Sequence, residues 1–137
     1  MIGCAPLTTP LPSGLSLTIK DCPSLDEEVK EMMKIPYREA LGSLIWLQVA
    51  IRPDLAFTVG LLARFVHNPG KEHWRALKYI MGYMKGTIGY RITYQAGGDL
   101  NPIGYVDSDF AGYWNMRRSI NGNIFLVAGE PVSWESK

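Results

Sequence analysis

The chain has 137 residues, enough for one ordinary domain or two smaller pieces, and 47% hydrophobic with 20% charged residues indicates a folded protein. Its net charge of +1 is too small to indicate a nucleic-acid partner by itself, so any basic surface must be local. Cys4 and Cys22 lack the spacing of a zinc site and the density of a disulfide scaffold, and no apolar run reaches the ~18 residues of a membrane span. We therefore expect an intracellular protein without a membrane segment.

Residues 1–35 are predicted to form an arm and one short helix. Prolines recur within residues 1–23 and favour extended or turn structure over helix, so this arm is expected to lie on another part of the molecule. Ser24 to Glu27 fits a capping box that opens the short helix, and Pro36 ends it.

Residues 36–88 are predicted to be helical. The stretch from Tyr37 to about Ala50 has so wide an apolar stripe that we expect a helix buried on much of its circumference, Trp46 included. Arg52-Pro-Asp54 restarts a helix, because proline at the first helical position loses no hydrogen bond and Asp54 suits the positive helix end. A third helix is predicted from Lys71 to about Lys85.

One face of the third helix is basic. At steps of 4, 3 and 7 residues it carries Lys71, Arg75, Lys78 and Lys85. Such a face can follow a nucleic-acid backbone and gain affinity by counterion release, and an ordinary solvated helix face has the same pattern. His67 and His73 flank a turn without metal-ligand spacing, and we expect them at a helix end or on the surface.

After residue 88 the apolar period changes from helical to alternating. Tyr90 to Tyr94 alternates and predicts a strand, followed by a Gly97-Gly98 turn, within a connection over residues 89–101. Three further strands are predicted at Ile103 to Asp107, Gly122 to Val127 and Val132 to Trp134. The predicted class is therefore α+β, with a helical segment followed by an incomplete three-stranded antiparallel sheet over residues 102–137.

The first of these strands delivers two carboxylates, Asp107 and Asp109, into a glycine-containing turn. Only Glu130 and Glu135 follow them among acidic residues, and one strand-end carboxylate cannot build a two-metal nuclease site. Asp107 is the candidate catalytic and metal-binding residue. Asp109 either assists it or caps the turn.

Seven segments of the sequence, taken together, indicate a protein family more specifically than any one of them does alone. They are Tyr37-Arg-Glu-Ala-Leu-Gly-Ser-Leu44, Arg52-Pro-Asp-Leu-Ala56, Asn68-Pro-Gly-Lys-Glu-His-Trp74, Tyr83-Met-Lys-Gly-Thr87, Gly104-Tyr-Val-Asp-Ser-Asp-Phe-Ala-Gly112, Arg117-Arg-Ser119 and Val132-Ser-Trp-Glu-Ser-Lys137. In order and spacing they resemble the Pol polyprotein of copia-type retrotransposons. The resemblance covers nearly the whole chain, and the sequence departs from the family pattern at Phe110 and Tyr113.

The resemblance implies the thumb and connection region of an RNA-directed DNA polymerase, preceded by an arm leaving its palm and followed by the start of a ribonuclease H-like domain. Asp107 matches the first ribonuclease H carboxylate, and nothing in the chain matches the remaining ones or the polymerase Tyr-x-Asp-Asp turn. Mg²⁺ is the cofactor implied for the family. We expect no stably bound ion and no catalysis from this chain alone.

The resemblance also implies weak contact with an RNA–DNA hybrid or DNA duplex through the basic face. Arg117 and Arg118 either contact phosphate there or pair with Asp109. Three alternatives stay open: docking on an intact Pol protein through an exposed apolar sheet face, a nuclease site completed by another chain, and a transposable-element relic without function.

Overall fold

The computed structural model describes residues 5–109 and 120–137. This part contains four α-helices and three strands, α1 (Asp26–Met33), α2 (Tyr37–Ala50), α3 (Ala56–Ala63), α4 (Lys71–Gly86), β1 (Ile103–Asp109), β2 (Ile120–Val127) and β3 (Glu130–Ser136). The predicted α+β class is confirmed. Arg117 and Arg118 lie outside the described residues. Within the described ranges no helix is both long and apolar enough to cross a membrane.

The core of the molecule lies among α2, α3 and α4. Its fully buried side chains come from all three helices and from the turn before α3, and the largest include Tyr37, Leu41, Leu55, Leu62, Leu77 and Ile80. The Tyr37 hydroxyl donates a hydrogen bond of 3.0 Å to the carbonyl of Leu62. A buried phenol requires such a partner, so this bond fixes α2 against α3.

The outer face of α2 is exposed, so the prediction that this helix is buried on much of its circumference is wrong. Leu41 and Leu44 are buried, whereas Trp46 is 69% exposed and Val49 66% exposed on the opposite side. The apolar stripe is wider than the surface that the other described helices cover. An apolar pattern predicts which residues can be buried, and the number of packing partners decides which of them are.

The three strands form one antiparallel sheet in the order β1-β2-β3. Asp107 pairs with Gly122, and Ile124 pairs with Tyr105 on one side and Trp134 on the other. Residues directly opposite in neighbouring strands share a face, so all five lie on one face of the sheet.

The connection between α4 and β1 contains no strand, so the strand predicted at Tyr90 to Tyr94 is wrong. Residues 89–101 instead run beside the β2–β3 hairpin, where the Tyr94 hydroxyl donates to the Pro131 carbonyl at 2.6 Å and the Ala128 amide donates to the Asp99 carbonyl at 2.9 Å. Alternating residues become a strand only where a neighbouring strand accepts their backbone hydrogen bonds.

The sheet packs on the helices through β3. The indole Nε1 of Trp134 donates to the carbonyl of Gln48, near the end of α2, at 2.8 Å. A Cβ atom at Gly60 of α3 would lie 3.5 Å from the carbonyl oxygen of Ser136. The sheet face that carries Asp107 therefore adjoins the helical half.

Candidate nucleic-acid interface and acidic cleft

An open cleft of about 550 Å³ lies between the sheet and the start of α3. The residues that line it include the aromatic Phe57, Tyr105 and Trp134 and the acidic Asp54, Asp107 and Glu135. Asp107 extends from β1 into this region with an exposed side chain. Asp109 ends β1 opposite Ile120, and its side chain lies outside what the structure describes.

The carboxylates of the cleft do not fit a magnesium ion as they stand. Mg²⁺ prefers octahedral oxygen coordination with one or two carboxylates and several waters, and Asp54 is already engaged by other side chains of this chain. Among residues 5–109 and 120–137, no three His, Cys, Asp or Glu side chains come together to hold a metal ion. Asp107 lies within β1, two residues before the strand ends at Asp109, and its role as a metal ligand stays a prediction.

Asp54 belongs instead to a buried polar network that the sequence did not reveal. Arg52, 6% exposed, donates from Nε and Nη2 to the two carboxylate oxygens of Asp54 at 2.9 and 2.8 Å. The same guanidinium donates to Thr87 Oγ1 at 2.8 Å, and the Tyr83 hydroxyl donates to Asp54 at 2.8 Å. Arg52 also lies over the rings of Tyr83 and Tyr90. The network ties the start of α3 to the end of α4.

This network also controls the ionisation of Asp54. Burial by itself raises the pKa of this carboxyl, but hydrogen bonds from Arg52 and Tyr83 together with the charge of Arg52 outweigh it, so the pKa lies below the ordinary value. Asp54 is thus held as a carboxylate in a structural ion pair, and its role is to secure the helices.

The four cations on the basic face of α4 have exposed side chains, and Lys71 and Arg75 are paired with acids. Lys71 forms an ion pair of 2.6 Å with Glu31 of α1, which raises the pKa of Lys71. Arg75 donates to both carboxylate oxygens of Glu72 at 2.9 and 2.8 Å. Water screens exposed ion pairs of this kind, so they contribute little to stability.

The basic face is interrupted between Lys78 and Lys85, at the seven-residue step of the sequence pattern. Position 82 lies between them on the same face and is a buried glycine. Residues of the N-terminal arm cover it, and the Leu7 amide donates to the Gly82 carbonyl at 3.1 Å. Lys78 and Lys85 therefore lie on either side of this covered segment.

His73 lies at the start of α4 and is completely buried. This agrees with the expected position at a helix end and contradicts the expected alternative, a position on the surface. Its Nδ1 accepts a hydrogen bond of 2.8 Å from the Gly70 amide, and its ring packs on Phe65 with centroids 4.0 Å apart. Its Nε2 is buried without a hydrogen-bond partner among the described residues. Burial lowers the pKa of His73, although Asp21 and Glu72 act in the opposite direction.

We expect the free energy of unfolding to decrease as pH falls below about 6.5, the ordinary pKa of histidine in an unfolded chain. Below that pH the unfolded chain binds a proton that folded His73 rejects until its lowered pKa is reached, so stability is lost in this window. Urea unfolding between pH 7.5 and 5.5 measures the effect.

The matched controls are His73→Asn, which keeps an acceptor near Gly70 without titrating, and His67→Ala at the exposed histidine. The first should flatten the pH dependence and the second should retain it. Equal slopes in both variants would show that His73 does not carry the effect.

The fold and site together define an α+β protein in which a helical unit with a basic face supports a small sheet whose first strand carries Asp107 and Asp109. The chain is similar to the retrovirus-related Pol polyprotein from transposon TNT 1-94 of Nicotiana tabacum, with 44% identity over 139 residues that cover 100% of this chain and 10% of that protein. It is 35% identical to the Pol polyprotein from transposon RE1 of Arabidopsis thaliana, of which it covers 9%.

A shorter relative is also similar. Secreted RxLR effector protein 161 of Plasmopara viticola is 41% identical over 106 residues, which cover 77% of this chain and 75% of that protein. No protein-family model matches the chain, and no solved structure does. The chain is thus homologous to a segment of retrovirus-related Pol polyproteins from plant transposons, and it spans about a tenth of the length of the Pol relatives named above.

Proposed function

We propose that this chain is the thumb and connection region of a copia-type Pol polyprotein with the start of its ribonuclease H-like domain, and that it binds the backbone of an RNA–DNA hybrid or DNA duplex. The observation that carries the proposal is the exposed row of cations on α4, on the side of the helix that faces away from the core. The similarity to segments of Pol polyproteins extends over the whole of this chain, which supports its proposed origin in a Pol polyprotein.

The proposed contact is electrostatic and reads no sequence. Two or three of the four cations contact phosphates at one time, because the N-terminal arm covers Gly82 between Lys78 and Lys85. Lys71 and Arg75 exchange their exposed carboxylate partners for phosphate oxygens. Each neutralised phosphate contributes about 0.9 to the slope of log affinity against log salt concentration.

The experiment is a titration of a labelled RNA–DNA hybrid with the purified chain at salt concentrations from low to physiological. We expect weak binding whose log affinity falls with log salt at a slope of roughly −2 to −3, the value for two or three phosphate contacts. The same hybrid should remain uncut in Mg²⁺, because the described residues do not gather three metal-binding side chains around Asp107. Salt-independent affinity would contradict the proposed contact.

Docking on an intact Pol polyprotein is the second candidate. It is favoured by apolar side chains that remain exposed on the sheet and α2, among them Tyr105, Val106, Phe125 and Trp46. In Pol relatives the matched segment lies within a chain about ten times longer, which offers cover for such faces. This candidate predicts that the chain binds an intact Pol protein with an affinity that does not fall with salt. A titration with Pol over the same salt concentrations therefore distinguishes this candidate from binding to a nucleic-acid backbone.

A further inference from the structure

Residues 5–11, which we call the strap, cross the outer face of α4 at two glycines. A Cβ atom at Gly82 would lie 2.7 Å from the carbonyl oxygen of Ala5 and 2.9 Å from a methyl carbon of Leu7, and one at Gly86 would overlap the backbone of Leu7. The absence of side chains at both positions therefore creates the groove that the strap occupies.

The strap passes between two cations of the basic face. Lys78 and Lys85 are seven residues apart, or about 10 Å along the helix axis, and Gly82 lies between them on the same face. The strap reads Ala-Pro-Leu-Thr-Thr-Pro-Leu and has no charged side chain. While docked, it places neutral backbone where a duplex must lie to contact both cations.

The attachments of the strap are few compared with those of the core. The Leu7 amide donates to Gly82, Thr9 and Tyr79 share a hydroxyl contact of 3.3 Å, and Leu7 and Leu11 are only partly buried. Leu17, further along the arm, is 3% exposed and anchors the chain in the core. Segments with few buried contacts open at a lower free-energy cost than the whole fold, so the strap can detach while Leu17 stays in place.

We propose that the strap regulates duplex binding by competing for the outer face of α4. The docked strap limits the duplex to part of the basic face, and the detached strap leaves Lys78 and Lys85 on one continuous surface. This inference rests on the proposed contact between α4 and a nucleic-acid backbone.

The test compares the full-length chain with two variants that release the strap in different ways. Gly82→Ala with Gly86→Ala fills the groove while favouring the α4 helix, and Leu7→Ser removes the apolar anchor without adding charge. Hydrogen exchange of residues 5–11 reports release, and titration of an RNA–DNA hybrid across a salt series reports binding. Release is expected to steepen the salt slope by about 0.9 or more, the value of at least one added phosphate contact.

The outcomes separate the two levels of the proposal. Faster exchange in the strap with an unchanged or shallower salt slope would overturn regulation while leaving the α4 contact intact. Continued protection of residues 5–11 in both variants would overturn detachment. Salt-independent binding by all three proteins would contradict the α4 contact itself, and regulation by the strap with it.

Discussion

Replacing Asp54 with alanine is expected to lower the free energy of unfolding by about 3–5 kcal/mol. The substitution removes the carboxylate that accepts two hydrogen bonds from the guanidinium of Arg52, which is almost fully buried. A buried charge left without its counter-ion bears the full cost of desolvation, which is why breaking such a pair is far more harmful than losing a surface contact. Chemical denaturation at pH 7 measures the loss.

The matched control is Glu72→Ala, which breaks the exposed bidentate pair with Arg75 on α4. That change should cost no more than about 1 kcal/mol, because water screens and replaces the interaction. Similar losses in the two variants would show that burial does not distinguish the pairs. Arg52→Met combined with Asp54→Leu should be less harmful than Asp54→Ala alone, since it removes both charges together.

The second large effect is expected at Gly70, where alanine should destabilise the fold by about 3 kcal/mol. The backbone of Gly70 has φ −103° and ψ 179°, an extended conformation that any residue adopts, so the cost is steric. A Cβ atom here would overlap the carbonyl group of Asp21 in the arm. Because the obstacle is backbone, relief requires the arm to move, and the loss should reach the upper end of the range for overpacked positions.

Gly42→Ala is the control for Gly70→Ala and should have the opposite sign. Gly42 lies within α2, and a Cβ atom there would contact nothing within 4 Å. Alanine is the better helix former by roughly 0.5–1 kcal/mol, so this variant should be more stable than the parent chain. Thermal or urea unfolding of both variants and the parent chain measures the two changes in stability. Stabilisation by both substitutions would show that the arm does not press on Gly70.

Several elements of the fold were predictable because their signals are local. The amphipathic period predicted α4 from Lys71 to about Lys85, and the helix runs from Lys71 to Gly86. The strand carrying Asp107 begins at Ile103, as predicted. These features follow from patterns within about 15 residues, where helical and extended periods differ clearly.

The features that escaped prediction depend on partners far away in the chain. Arg52-Pro-Asp54 indicated a helix start. No neighbouring residue indicated that Thr87 and Tyr83, about thirty residues later, would complete a polar network with Arg52 and Asp54. An arginine set among apolar neighbours, with a carboxylate two residues on, was the available signal. The close approach of the arm to Gly82 and Gly86 likewise depends on distant residues, because Ala5 and Leu7 occupy the space that a Cβ atom would need there.

The residues of the candidate site stay a prediction, and their surroundings could not be predicted from the sequence. Asp107 was expected at a strand end, and the structure places it beside a cleft whose other wall is the start of α3. The pairing of Lys71 with Glu31 of α1 could not be read from the sequence, because it depends on how α1 packs beside α4. Tertiary packing decides which charges remain available, and local spacing decides only which face they share.

The most direct test of the central claim is a comparison of salt slopes for hybrid binding by two charge-matched variants. Lys78→Ala with Lys85→Ala removes two cations from the basic face of α4, and Lys30→Ala with Lys34→Ala removes two exposed cations from α1 and the residue that follows it. If α4 holds the duplex backbone, the first variant should lose at least 0.9 of the slope while the second keeps the parent value. Equal slopes in the two variants would contradict the account.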